Sequence, residues 1–276
     1  MNRQELIKNI RTRQSYLCVG LDSDYDKIPK HLLSFADPVF EFNKQLIDAT
    51  KAHCVSYKIN TAFYESRGVK GWETLERTVN YIPKSHFTIA DAKRGDIGNT
   101  SAQYAKAFFE VLNFDAITVA PYMGSDSVKP FLEYNDKWTI LLGLTSNPGA
   151  ADFELQKSGN EYLYEKVLNT ASAWGSSDKL MFVIGATQSG EFARIRRITP
   201  DHFYLVPGLG AQGGSLEEIS HQAMTSDIGL LVNASRAIIF ASSREDFAEK
   251  ARSVAMEYHE NMKTLMGQYL LNFRAV

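Results

Sequence analysis

Cysteine is scarce. The 276-residue chain has two, Cys18 and Cys54, too few for a disulfide framework. Both sit in apolar runs that read as strands, where a free thiol behaves as a small buried hydrophobe of a reducing compartment. No His-x-x-x-His pair and no Cys/His cluster occurs, which removes the usual signatures of a transition-metal site. The six histidines, His31, His53, His86, His202, His221 and His259, avoid the predicted C-terminal ends of strands; His86 and His202 precede strands at the opposite face. Acid–base chemistry therefore falls to lysine and carboxylates. No apolar run reaches the ~20 residues that span a bilayer. The segment Met1-Asn-Arg-Gln-Glu-Leu-Ile-Lys is polar and amphipathic, without the apolar core or cleavage site of a signal peptide. Charge of one sign is lacking too: 30 Lys and Arg face 32 Asp and Glu, for a net −2. Without a block of like charge, neither nucleic acid nor a membrane surface is expected as a partner. A cytoplasmic protein is expected.

What is present is a large apolar inventory, 44% hydrophobic with 12% aromatic, arranged as an alternation. Short β-branched runs read as strands at 16–21, 54–59, 87–92, 116–121, 139–145, 180–186, 203–207 and 228–234. Between them lie patterns with helical spacing, such as Val39-Phe40-Phe42-Leu46-Ile47 and Ala105-Phe108-Phe109-Leu112. Asp37-Pro38 reads as an N-cap followed by proline at the first helical position, and Thr100-x-x-Gln103 as a capping box. Eight βα units without a linker predict one α/β domain over 1–276, a (β/α)8 TIM barrel. An N-terminal helix is expected at about 2–14 and a C-terminal helix at about 244–270. Residues 146–161 form a long connection without a regular pattern, suited to a lid or to surface decoration.

In such a barrel the C-terminal strand ends build the active site, and polar residues collect there. Strand 1 ends Gly20-Leu21-Asp22, strand 2 carries Lys58, and strand 5 ends Leu144-Thr145-Ser146. Strand 3 runs into Asp91-Ala-Lys93-Arg-Gly-Asp96. Alternation in a strand puts Asp91 and Lys93 on one face, and Gly95 is expected to make the turn that presents Asp96. Alternating charges beside a buried strand end are costly unless they pair or meet a charged substrate. After strand 7 comes Pro207-Gly-Leu-Gly-Ala-Gln-Gly-Gly214, and strand 8 ends Asn233-Ala-Ser-Arg236. Glycines let backbone amides approach an anion, and barrels commonly bind phosphate after strands 7 and 8. Arg236 adds a guanidinium suited to phosphate. The loop is neither a dinucleotide fingerprint nor a P-loop.

With these residues in place, the chain resembles the orotidine 5′-phosphate decarboxylase family over the whole barrel, in its longer bacterial branch. Asp-Ala-Lys-Arg-Gly-Asp-Ile-Gly-Asn-Thr at 91–100 matches the family's D-x-K-x-x-D signature. Thr145-Ser-Asn-Pro-Gly149, Pro207-Gly-Leu-Gly-Ala-Gln212 and Arg236 agree in order and strand position. The resemblance implies decarboxylation of orotidine 5′-phosphate to UMP, without metal or cofactor, in pyrimidine biosynthesis. It implies a charged array of Lys58, Asp91, Lys93 and Asp96, with Lys93 as the proton donor to C6. It further implies a homodimer in which Asp96 and Thr100 cross to the neighbouring site. Asp22 would bind the ribose, Ser146 the pyrimidine, and Gln212, Ser235 and Arg236 the phosphate. The pair Ala234-Ser235 departs from the many members that place glycine before the arginine. Two rivals share parts of the pattern. A metal-dependent sugar-phosphate decarboxylase or aldolase of the same barrel would carry a metal-binding carboxylate where this chain has Lys58. A non-catalytic nucleotide-phosphate-binding barrel would not need the Asp91/Lys93 pair.

Overall fold

The computed structural model describes residues 1–209 and 214–274. Eight parallel strands close into a barrel: β1 (Leu17–Gly20), β2 (Ser56–Asn60), β3 (Phe87–Arg94), β4 (Ala116–Val119), β5 (Trp138–Leu144), β6 (Leu180–Ile184), β7 (Phe203–Pro207) and β8 (Leu230–Ala234). Each strand pairs with its sequence neighbours, and β8 closes the ring on β1 through Leu17↔Val232, Cys18↔Asn233 and Val19↔Ala234. Each lies within two residues of its predicted bounds. The patterns are continuous rather than alternating, as in β4 and β6, which are buried along their whole length, because one face meets the barrel interior and the other the helices. Cys18 and Cys54 are both buried and free, but Cys54 precedes β2 instead of lying in it. Burial pushes their thiols up, to about 11 and about 12, which keeps them unreactive.

Aromatic rings fill the end of the barrel where the strands begin. Phe87, Trp138 and Phe203 open β3, β5 and β7, and Trp138 meets both phenylalanines edge-on at 6.1 Å, a favoured aromatic geometry. Helix Arg3–Arg13 lies across this end, capped by Asn2 and Glu5 in a reciprocal box and burying Leu6, Ile7 and Ile10. Arg3 stacks its guanidinium 5.2 Å from the Phe203 ring. It also donates to the Ser177 and Asp201 carbonyls at 2.6 and 2.8 Å and pairs with Asp227 at 3.2 Å. Asn9 and Arg13 reach the Ser85 and Lys51 carbonyls. One helix thus ties together the segments that lead into β2, β3, β6, β7 and β8.

The outer helices follow their sequence signals in most places. Asp37 accepts from the Phe40 N–H at 3.1 Å and Pro38 opens helix Pro38–Thr50, as expected. Phe42 on that helix stacks between Phe240 and Phe247 at 5.9 and 5.2 Å, fastening the C-terminal helix Phe247–Arg274. Truncating a fully buried ring of this kind costs about 3–5 kcal/mol. Three expectations are corrected. The Thr100/Gln103 capping box does not form: helix Gly98–Lys106 starts three residues earlier than that box requires, its N-cap is Ile97, and Thr100 is its third residue. The left-handed backbone of this segment falls on Gly98, at φ 48, after Asp96, and not on Gly95; a side chain is disfavoured in that conformation. Residues 146–161 are not irregular. They hold a 3-10 turn, Pro148–Asp152, and a hairpin pairing Lys157–Ser158 with Glu161–Tyr162. The hairpin was missed because two-residue strands carry too few positions for a period to show.

Candidate active site

Register places the charged residues. Gly20 of β1 pairs with Lys58 of β2, and Asn60 of β2 with Asp91 of β3, so the three strand ends deliver their side chains to one mouth. Lys58 Nζ donates to Asp91 Oδ2 at 2.8 Å and to Asp22 Oδ1 at 3.2 Å. Lys93 Nζ donates to Asp91 Oδ1 at 2.5 Å. The result is a chain of alternating charge, Asp22–Lys58–Asp91–Lys93. Lys58 and Asp91 are 4% and 9% exposed, so each would be unaffordable alone and is stable only with the others. Burial would pull the Lys58 ammonium down, but Asp22 and Asp91 together raise it well above its ordinary value. Burial likewise opposes ionisation of Asp91, yet Lys58 and Lys93 hold its carboxyl well below the usual carboxylate range. Both groups stay charged across the neutral range. The outermost ammonium, Lys93, is half exposed and open to a bound molecule.

Simple strand alternation does not explain where Lys93 points. Between the pairs Ala90↔Ile117 and Arg94↔Val119, β3 advances four residues while β4 advances two. In this bulge Lys93 takes φ 46, the left-handed region that a non-glycine residue adopts only when its surroundings impose it. Bulges next to active sites re-aim side chains in this way. The Lys93 N–H donates to Thr118 Oγ1 at 2.9 Å, and that hydroxyl donates to Asp91 Oδ1 at 3.1 Å. Arg94 Nη1 donates to the Ala92 carbonyl at 3.0 Å and pairs with Glu65.

Ser146, just past the end of β5, and Ser235 and Arg236, just past β8 and beside β1, line the same cleft as Asp22, Lys58 and Asp91. Arg236 opens helix Arg236–Ile239 and has no ion-pair partner among the described residues. The flanking loop contributes Gly208, whose φ of 99 suits glycine. Gln212 lies outside the described residues. The Thr145 N–H and hydroxyl both donate to the Glu154 carboxylate, at 2.7 and 2.8 Å, while Ser146 lines the cleft. Asp96 and Thr100 do not join the array within this chain. Asp96 Oδ1 accepts from the Ile97 N–H at 2.8 Å, and Thr100 is exposed.

Four further residues belong to the site and were not singled out from sequence. Asn60 and Asn233 line the cleft. Asn60 could have been found, because it is two residues past Lys58 and therefore on the same face. Thr118 and Glu154 act through contacts between elements, and no local pattern marks them.

The residues fit a group of relatives. The profile of the orotidine 5′-phosphate decarboxylase / HUMPS family matches residues 15–251. An orotidine 5′-phosphate decarboxylase of Bacteroides fragilis is 57% identical over 266 residues, 95% of this chain and 97% of that protein. The structure of Leishmania donovani OMP decarboxylase is 36% identical with a TM-score of 0.84, covering 96% of this chain and 98% of that one. Leishmania donovani UMP synthase matches with 37% identity and a TM-score of 0.85 over 95% of this chain, which spans 55% of that longer protein.

Proposed function

Because this chain belongs to the orotidine 5′-phosphate decarboxylase / HUMPS family, we propose that it converts orotidine 5′-phosphate to UMP and CO2 in pyrimidine biosynthesis. The observation that carries this reading is the Lys58–Asp91–Lys93 chain. A metal-dependent relative needs a cation between carboxylates at the end of β2; here the Lys58 ammonium already sits between Asp22 and Asp91. A barrel that only binds nucleotide phosphate has no use for a buried carboxylate aimed at an exposed ammonium.

In the proposed reaction the bond between C6 and the substrate carboxylate breaks and its electron pair stays on C6. CO2 departs, and Lys93 Nζ, the partly exposed end of the array, stabilises the developing carbanion and gives it a proton. Water then reprotonates the lysine. Asp91, fixed by Lys58, Lys93 and Thr118, lies against the departing carboxylate. Lys58 holds Asp91 in place, Asp22 binds a ribose hydroxyl, and Ser146 meets the pyrimidine. Gln212, Ser235 and Arg236 take the phosphate, whose binding energy supports events at the distant ring. Asp96 and Thr100 serve the neighbouring site of a homodimer. Neither joins this chain's own array: Asp96 accepts from the Ile97 N–H and Thr100 is exposed on the helix that follows, which supports that role, as does the exposed apolar set Ile97, Tyr122 and Met123. No helix among the described residues is long and apolar enough to cross a membrane, and two unpaired buried thiols suit a cytoplasmic enzyme. Incubation with orotidine 5′-phosphate should produce UMP, followed by the ultraviolet change of the pyrimidine. Absence of turnover would remove the assignment.

A further inference from the structure

We infer that Thr118 is a positioning residue for the proton-donating ammonium. One hydroxyl, 1% exposed on β4, touches both halves of the reacting pair: it accepts the Lys93 N–H at 2.9 Å and donates to Asp91 Oδ1 at 3.1 Å. The two contacts cannot be reversed, since a backbone N–H only donates and a carboxylate only accepts. Thr118 therefore fixes the direction of both groups at once. It also answers a need created by the bulge. The β3–β4 register breaks between Ala90 and Arg94, so the Lys93 N–H has no strand partner in β4 and finds a side chain instead. The left-handed backbone at Lys93 is held on its other side by Arg94, whose guanidinium binds the Ala92 carbonyl at 3.0 Å and lies over Tyr104 and Phe108 at 5.4 and 5.3 Å. The bulge is built, and the Thr118 hydroxyl is its link to Asp91.

This inference rests on the reading of Lys93 as the donor, and the experiment separates the two. Thr118→Val keeps the shape and removes the hydroxyl, Thr118→Ala removes it with less bulk, and Thr118→Ser retains it. Steady-state kinetics with orotidine 5′-phosphate and equilibrium titration with UMP are measured for each, beside Lys93→Ala. Misplacement of a reacting group by about 1 Å costs up to 10²-fold, so the Val and Ala variants should lose roughly 10–100-fold in kcat. KM and UMP affinity should stay within about threefold, and Ser should remain near the parent. The inference is overturned by full kcat in Thr118→Val, by equal losses in Ser and Val, or by loss of UMP binding in parallel with kcat. If Lys93→Ala itself retains turnover, the donor assignment falls first. If Lys93→Ala is inactive while Thr118→Val is unimpaired, only the positioning role falls.

Discussion

Replacing Lys58 by methionine would remove an ammonium that is nearly isosteric with its replacement and leave two carboxylates behind. Asp91 would keep Lys93 and Thr118, but Asp22 would lose its 3.2 Å partner, and Asp22 and Asp91 would face one another with no cation between. Breaking a buried ion pair from one side typically costs about 3–5 kcal/mol. For a domain larger than 200 residues each kcal/mol moves Tm by roughly 2–3 °C, so a fall of about 6–15 °C is expected at pH 7. The pH dependence gives the sharper test. In the parent, Asp91 is depressed well below the usual carboxylate range, so its contribution is present above the unfolded value and disappears only as acid drives pH through the folded one. Without Lys58 the native state takes up a proton more easily, and acid relieves the repulsion. The gap between parent and Lys58→Met should therefore shrink from pH 7 to pH 5, and Asp22→Asn added to Lys58→Met should recover part of it. Thermal melts across that range decide. A shift under 2 °C at pH 7, or a gap that stays constant on acidification, would refute the account of Lys58 as the cation binding two carboxylates.

Arg236→Ala should raise KM for the phosphorylated substrate and lower kcat/KM by an amount equivalent to roughly 2–5 kcal/mol once the pair is buried by substrate; an unchanged kcat/KM would take Arg236 out of the phosphate site. Excess EDTA should leave turnover intact, and a loss restored by Mg2+ would favour metal-dependent chemistry. Mixing the inactive variants Lys93→Ala and Asp96→Ala should restore about a quarter of parental activity if sites are shared across a two-fold dimer; no recovery would place Asp96 outside the partner's site. Stability should fall between pH 7.5 and 5.5, above the range where the carboxylates titrate. Burial, with Arg13 beside His86 and with Arg196 and Arg3 beside His202, lowers both imidazoles to about 4. Below the ordinary histidine value the unfolded chain thus binds protons that the native one refuses. At pH 5.5 this amounts to roughly 1.4 kcal/mol for each. His202→Phe, at a ring whose nitrogens have no hydrogen-bond partner among the described residues and which packs on Phe182 at 5.2 Å, should flatten about half of the slope in urea titrations. An unchanged slope would exclude His202 as its source.

The barrel was legible because its strands are buried on both faces and so appear as uninterrupted apolar runs, while each helix shows its own period. Asp22, Lys58, Asp91, Ser146 and Arg236 were legible because a residue at a strand end needs only the strand's position to be located. Lys93 does meet Asp91, but not by the alternation expected of a regular strand: the contact depends on a bulge and a left-handed residue. That conformation is set by β4 and Arg94, not by local propensity, so no reading of residues 91–96 alone could contain it. The Thr100 box failed similarly. Its spacing was valid for a cap, but Gly98 let the chain turn earlier and put Thr100 inside the helix. Glu154 escaped notice because its work, holding Thr145 across nine residues of connection, is visible only once that connection has its hairpin.

The helix laid across the floor of the barrel has a consequence for how the chain acquires its shape. Arg3 meets Ser177, Asp201 and Asp227, residues that leave the ribosome long after it does. This helix, made before its partners, must wait, with Leu6, Ile7 and Ile10 uncovered, until the later half arrives. Contacts so distant along the chain are slow to form, and apolar surface left waiting is prone to association. The nascent protein should then be most vulnerable before β6 to β8 emerge, and its final, rate-setting event should be the seating of helix Arg3–Arg13.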